Sequence, residues 1–185
     1  MYIQITKKLS DEMKIKVVKP DLTNENQLFC WHANIFKIGR KKCVLVMNNV
    51  TRYCFIIYGL VKKDFTNFEV LMRENIVGNF LGNEFDIEKI DSYMEQLGDV
   101  QYSATSDRSI ISQMNDMIYQ AEHIIHYLAE EGETISLLQL NLELNETPLV
   151  KLNSYPYKLM RDALDESFIK QRNLRKSLYE QKNLQ

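Results

Sequence analysis

The sequence predicts a single α+β domain over residues 1–185, in which an antiparallel sheet is packed by three or four helices. Two observations carry this prediction. Residues 27–59 contain three consecutive runs rich in aromatic and β-branched residues, which is typical of hairpin strands. From residue 64 onward the apolar residues recur at helical spacings instead. The sheet is therefore expected to be built on consecutive hairpins, with the helices following it.

Composition narrows the class of protein. The chain has 45% hydrophobic and 26% charged residues, which is typical of a globular domain, and its net charge of −2 gives no overall basic field for nucleic acid. It has no signal-peptide pattern and no membrane-spanning apolar window, which predicts a cytoplasmic protein without a membrane partner. The three cysteines form an odd set, which favours reduced core thiols over a disulfide framework.

The N-terminal third supplies the predicted strands. Residues 1–6 alternate weakly and predict a short strand, which a helical turn near residues 9–14 follows. Three strong strand runs come next: LFCWHANIFKI, KKCVLVMN and RYCFIIYGL. Gly39-Arg40 and the tetrapeptide NNVT separate these runs, and both are plausible hairpin connections.

The remainder is predicted to be mostly helical. Two helices are expected within about 64–97, a long one over 107–131 and a last one over 156–181. The segment VQYSAT near residue 100 reads as a short strand. Residues 136–145 alternate leucine with polar residues, which is a strand pattern, although their neutral helix propensities leave a helix open as the alternative.

The hairpin loops predict which side chains share a face of the sheet. A two-residue loop at Gly39-Arg40 pairs His32 with Met47 and Asn34 with Leu45. A four-residue loop at NNVT would place Arg52 opposite Met47 as well. Trp31 then points into a core, while His32 and Asn34 lie on the opposite face with Arg52.

Six polar residues on this face and at the start of the long helix are predicted to form a small pocket that binds an anionic group or a peptide segment: His32, Asn34, Asn48, Arg52, Arg108 and Asn115. An arginine is a fork-shaped donor for carboxylate or phosphate, and a helix start offers exposed amides to anions. A histidine satisfied by a neighbour and ordinary helix capping explain the same residues without a ligand.

The predicted function is a binding or interaction module without turnover, whose partner is an unknown protein or an anionic small molecule. Strands that are apolar on both faces need cover from helices or a second copy, so a homodimer is one expectation. A nucleic-acid-associated protein that uses a basic turn and the basic C-terminal helix is an alternative, and an enzyme of unrecognised class is another. The turn residues are Arg40, Lys41 and Lys42.

No metal or cofactor site is predicted. The hairpin register separates Cys30 from Cys43 by roughly 20 Å along the strands, and no CxxC or HxxxH pair is present. Motifs for nucleotide cofactors are also missing from the sequence.

Several motifs resemble one family. The residues are Trp31, His32, Ala33 and Asn34; Arg40 and Lys41; Met47, Asn48, Thr51 and Arg52; Asp107, Arg108, Ser109, Met114, Asn115 and Asp116; and Leu144, Asn145, Thr147 and Pro148. Together they resemble a family of uncharacterised bacterial proteins, a domain of unknown function that is also similar to the amino-terminal part of plasmid-borne open-reading-frame proteins. The resemblance implies no activity. It does imply that the hairpin face and the first turns of the long helix form one unit.

Overall fold

The computed structural model describes residues 1–182. Its five strands are β1 (Tyr2–Ile5), β2 (Cys30–Ile38), β3 (Lys41–Asn48), β4 (Cys54–Leu60) and β5 (Gln101–Ala104). Its α-helices are α1 (Lys7–Met13), α2 (Lys62–Thr66), α3 (Phe68–Gly82), α4 (Ile87–Gln96), α5 (Arg108–Glu130), α6 (Leu137–Asn145) and α7 (Pro156–Lys182). The α+β class is confirmed, but seven helices stand in this part of the chain where three or four were predicted. Over the same residues, no helix combines the length and apolar character needed to cross a membrane.

The sheet is mixed, which corrects the prediction of an antiparallel one. Its strand order is β4-β3-β2-β1-β5, and β1 runs parallel to both β2 and β5. The hairpin part, β2-β3-β4, is antiparallel as predicted. Parallel neighbours need a long crossover, and here β1 inserts between strands that lie far away in the sequence. Local hairpin signals therefore could not reveal this pairing.

The predicted β2–β3 register is confirmed, with His32 opposite Met47 and Asn34 opposite Leu45. The β3–β4 register is wrong by two residues, because Cys54 rather than Arg52 lies opposite Met47. The cause is the side chain of Asn48, whose Oδ1 accepts from the backbone amides of Val50 and Thr51, each at 3.1 Å. This bonding lengthens the connection and places Arg52 in the turn.

The two faces of the sheet carry separate cores. Trp31, Ala33 and the apolar residues that share their face pack under α1 to α4 and α7. The other face, which includes Met47 and Cys54, packs under α5 and α6. Trp31 lies in a core, as predicted, and its Nε1 donates to Tyr93 Oη at 3.1 Å.

Residues 137–145, left open between strand and helix, form α6. Asn141 and Asn145 lie four residues apart on the helix and are buried against β4. Asn145 Oδ1 accepts from Cys54 N at 2.8 Å, and Asn141 Oδ1 accepts from Ile56 N at 2.9 Å. The two amides also donate to the carbonyls of the same strand residues. α6 thus closes the β4 edge of the sheet with side chains.

Candidate functional site

A buried network of polar side chains lies where β1, β2 and the β3–β4 turn meet the start of α5. His32 and Gln4 are neighbours on adjacent strands, and both are 0% exposed. Asn49 Oδ1 lies 2.7 Å from His32 Nδ1, and Asn49 Nδ2 donates to Gln4 Oε1 at 3.0 Å. Gln4 Nε2 donates in turn to Ser106 Oγ at 2.8 Å, which joins the network to the residues before α5.

The network fixes the tautomer of His32. Gln27 Nε2 donates to the backbone carbonyl of Leu22 at 3.2 Å, so Gln27 Oε1 must be the acceptor for Asn49 Nδ2. The remaining atom of that amide, Asn49 Oδ1, can only accept, and His32 Nδ1 therefore carries the proton. His32 Nε2 is then an unprotonated acceptor, and it is buried without a partner in the described part of the chain.

The charge of His32 follows from its surroundings. Burial lowers the pKa of His32, and the cation of Arg52 acts in the same direction. The hydrogen bond to Asn49 and the carboxylate of Asp107 oppose this shift without reversing it. Because burial is the largest cause, the imidazole is neutral at neutral pH.

Arg52 links this network to a cavity. Its backbone is left-handed, with φ 60°, an uncommon conformation for a long side chain. Its Nη1 donates to the carbonyl of Asn49, and the residue is half-buried. Burial lowers the pKa of Arg52, while Asp107 raises it. Among residues 1–182 no carboxylate forms an ion pair with this guanidinium.

The cavity has a volume of about 390 Å³ and is polar for much of its lining. Arg52 forms one wall, and the other walls come from the first half of α5 and from residues 147–152. Gln120 Nε2 donates to Thr147 Oγ1 at 2.6 Å, which ties these two walls together. The remaining polar or charged groups in the lining are those of Ser109, Ser112, Gln113, Asp116 and Lys151.

The six predicted site residues do not share one pocket in the structure. Arg52 lines the cavity, whereas His32 is buried in the network and is not part of the cavity lining. Asn48 uses its amide within the β3–β4 turn and toward Leu28, so it has little capacity left for a ligand. Asn34 and Asn115 line a separate groove between α1 and α5. Arg108 is exposed on the first turn of α5, outside the cavity lining.

The residues proposed for nucleic acid are also separated. Arg40, Lys41 and Lys42 lie at the β2–β3 turn, at one end of the sheet. Lys170 and Gln171 of the C-terminal helix line a groove with Leu28 and Val50, at the other end. One short nucleic-acid surface therefore does not contain both.

The cysteines fit the role of core thiols. Cys30, Cys43 and Cys54 are free and buried. Burial raises the pKa of Cys30 to about 11 and that of Cys54 to about 12, so both thiols are protonated at neutral pH and are weak nucleophiles. Within the described residues, no group of three or more His, Cys, Asp or Glu side chains is arranged to hold a metal ion.

Sequence reasoning missed the amides that organise the site. Gln4, Gln27 and Asn49 come from three segments far apart in the chain, and none of them belongs to a recognisable motif. Gln4 alone carried a usable signal, because a polar residue between two apolar ones in a short strand marks the face of the sheet opposite the core that contains Trp31. Its partners depend on the parallel β1–β2 pairing.

The fold and the site define a small α+β domain in which a mixed five-stranded sheet lies between two helical layers and carries a buried polar network beside a polar cavity. The chain belongs to the family described as "Domain of unknown function (DUF6933)", whose sequence model matches residues 2–159. The resemblance to an uncharacterised domain is thereby confirmed. The comparisons with curated proteins and with solved structures find no match.

Proposed function

We propose that this domain is a binding module, without turnover, that takes an anionic group of a small molecule in the cavity beside Arg52. The observation that carries the proposal is the guanidinium itself, which is half-buried at the cavity wall and has no ion-pair partner among the described residues. Asp107 acts on this cation only through space, without an ion pair, so desolvation of the guanidinium stays costly. A bound carboxylate or phosphate would offset that cost through bidentate hydrogen bonds.

The position of Arg52 supports a binding role over a purely structural one. A left-handed backbone costs a residue with a Cβ roughly 1 kcal/mol, and Gly or Asn would avoid most of that cost in the turn. The neighbouring amide network holds the turn in place through Asn49, which also anchors one guanidinium nitrogen. The remaining donors of the fork stay free for a ligand.

The side chains that line the cavity also indicate the size of the ligand and its further polar groups. The cavity volume of about 390 Å³ falls in the range of small-molecule sites, which is roughly 300–1,000 Å³. Ser109 and Ser112 on the first turns of α5 present hydroxyls near the positive end of the helix dipole. Asp116 lies deeper along the same helix and favours a hydrogen-bond donor on the ligand. The preferred ligand is thus a small acid that also carries a hydroxyl or amino group.

Binding without chemistry is consistent with the buried titratable side chains of the domain. His32 is shielded from solvent, and the raised pKa values of Cys30 and Cys54 keep those thiols protonated. Free, buried thiols also suit the reducing cytoplasm, where we place the protein. An enzyme would need an accessible group with a pKa matched to its reaction.

The proposal is tested by thermal unfolding with a panel of small anions, namely orthophosphate, nucleoside monophosphates, hydroxy acids and amino acids. A ligand at about 100 times its dissociation constant stabilises the folded state by about 2.7 kcal/mol, which raises the midpoint by roughly 5–10 °C in a domain of this size. The Arg52→Gln variant should lose this shift, and Arg52→Lys should keep part of it.

Arg40→Gln is the matched control, because Arg40 is exposed on a turn at the far end of the sheet. Its midpoint should rise with the ligand as the wild-type midpoint does. An equal loss in Arg40→Gln and Arg52→Gln would mean nonspecific charge binding and would contradict the cavity as the site.

A further inference from the structure

The structure also points to a docking site for a protein segment, and we propose that the second half of β2 accepts an extended acidic peptide of a partner protein as an additional strand. This site is separate from the Arg52 cavity, and the proposal does not depend on the small ligand. It rests on three features of the β2 edge: its unpaired backbone, the groove that borders it and the charges in that groove.

The unpaired backbone results from the difference in length between β1 and β2. β1 has four residues and pairs with β2 only from Cys30 to Ala33. β2 continues to Ile38, and its other side is paired with β3 throughout. β1 covers one side of β2 up to Ala33. From Asn34 to Ile38, no strand of the described residues pairs with that side.

The directions of the free backbone groups follow from the last bond that β1 makes. The carbonyl of Ala33 accepts from Thr6 N at 3.1 Å, so Ala33 presents its backbone groups to the β1 side. Backbone groups alternate in direction along a strand, and Ile35 and Lys37 therefore present theirs to the same side. Two N–H donors and two C=O acceptors face the space beyond the end of β1.

A groove of about 520 Å³ lies along this edge. Lys8 and Glu12 of α1 border it on one side, and Asn115 and Ile118 of α5 border it on the other. Residues 34–37 of β2 form its floor. An extended segment in this groove would lie in the plane of the sheet, where a longer β1 would have continued, and would pair with Ile35 and Lys37.

The charges in the groove select the partner. Glu12 is paired with Lys42 at 2.7 Å. Lys8 and Lys37 are exposed, and neither forms an ion pair with the described residues. Phe36 and Ile118 add apolar surface to the lining of the same groove. A strand whose side chains alternate between acidic and apolar residues therefore matches the groove, and main-chain bonds to an open edge are an established mode of peptide recognition.

The test uses a short fluorescent peptide that alternates Glu with Val, together with two N-methylated forms of it. One form is methylated at the odd residues and the other at the even residues, so each form loses the donors on one side of the strand. The parent should bind, and one methylated form should bind at least about tenfold more weakly, since it loses hydrogen bonds worth about 1 kcal/mol each. The other methylated form should bind like the parent.

Two protein variants locate the peptide. Lys37→Pro removes an N–H from the open edge, and Lys37→Gln removes only the charge. Lys37→Pro should lose most of the affinity and Lys37→Gln a smaller part, while both keep the thermal midpoint within a few degrees of wild type.

Four results would overturn the proposal. The first is that the acidic peptide does not bind, and the second is that both methylated forms bind like the parent, which would mean that only side chains dock. The third is that a Lys–Val peptide binds equally well, which would exclude the charge match. The fourth is that the protein forms dimers that Lys37→Pro dissociates, which would assign the edge to a second copy.

Discussion

Within residues 1–182, the sheet has no further strand beside the outer edge of β4 or beside the second half of β2, and the two edges are covered differently. On β4, Asn141 and Asn145 pair with the backbone of Ile56 and Cys54, so the edge is closed by side chains of α6. On β2, Ile35 and Lys37 present backbone groups to a groove in which no strand of the described residues pairs with them. An unpaired edge invites pairing with other chains unless it is covered. The closed edge thus serves stability, whereas the open edge is the site that we propose for a peptide.

The largest effect is expected at the closed edge. Asn145→Leu leaves the buried N–H and C=O of Cys54 without partners, and each costs about 1–3 kcal/mol, so the free energy of unfolding should fall by about 2–6 kcal/mol. Urea unfolding measures this change. Asn115→Leu is the control, because Asn115 is exposed on α5 and should change stability by less than about 0.5 kcal/mol. Equal losses in the two variants would show that α6 does not close the edge as described.

Proline scanning of the β2–β3 hairpin separates the two sides of β2. Lys41 pairs with Ile38, whose backbone groups point toward β3, so Lys41→Pro breaks a ladder bond and should cost about 1–3 kcal/mol. Lys37→Pro removes an N–H that faces the groove and should cost less than about 1 kcal/mol. Both lysines are exposed, so little side-chain packing is lost in either variant. If Lys37→Pro proved the more destabilising of the two, the second half of β2 would already be paired.

A smaller effect is expected in the first half of β2, which β1 covers. Burial lowers the folded-state pKa of His32 below the unfolded value of about 6.5, so the unfolded chain takes up the proton first. The contribution of His32 to the free energy of unfolding is fully present above about pH 6.5. It falls as the pH drops toward the folded-state pKa, by at most about 1.4 kcal/mol per pH unit. Chemical unfolding at several pH values between about 7 and about 5, the range in which histidine titrates, measures this loss of stability. The His32→Gln variant should lose this part of the pH dependence, and an unchanged slope would contradict a buried neutral histidine.

The hairpin part of the fold could be predicted because short loops set its register. Gly39-Arg40 fixed the pairing of His32 with Met47, and alternation then placed Trp31 and His32 on opposite faces. The β3–β4 pairing could not be predicted from loop length, because the Asn48 side chain rebuilds that turn. An error of two residues preserves the face, and Cys54 therefore still shares a core with Met47.

Long-range contacts determine most of the features that could not be predicted from the sequence. The parallel pairing of β1 depends on segments that have no local signal for each other. In α6, leucines repeat at both strand and helix periods, and burial of Asn141 and Asn145 against β4 accompanies the helix. The Arg52 cavity also depends on residues 147–152, whose approach to α5 the sequence does not reveal. The predicted polar residues were present, but only the fold shows which of them share a site.

The contrast between the two edges is tested most directly by amide hydrogen exchange of four residues, measured with and without the acidic peptide. Cys54 and Ile56 should exchange slowly in both samples, because the amides of α6 hold their N–H groups. Ile35 and Lys37 should exchange fast in the free protein and slowly with the peptide bound. Slow exchange of Ile35 and Lys37 in the free protein would show that the edge is already covered and would contradict the account.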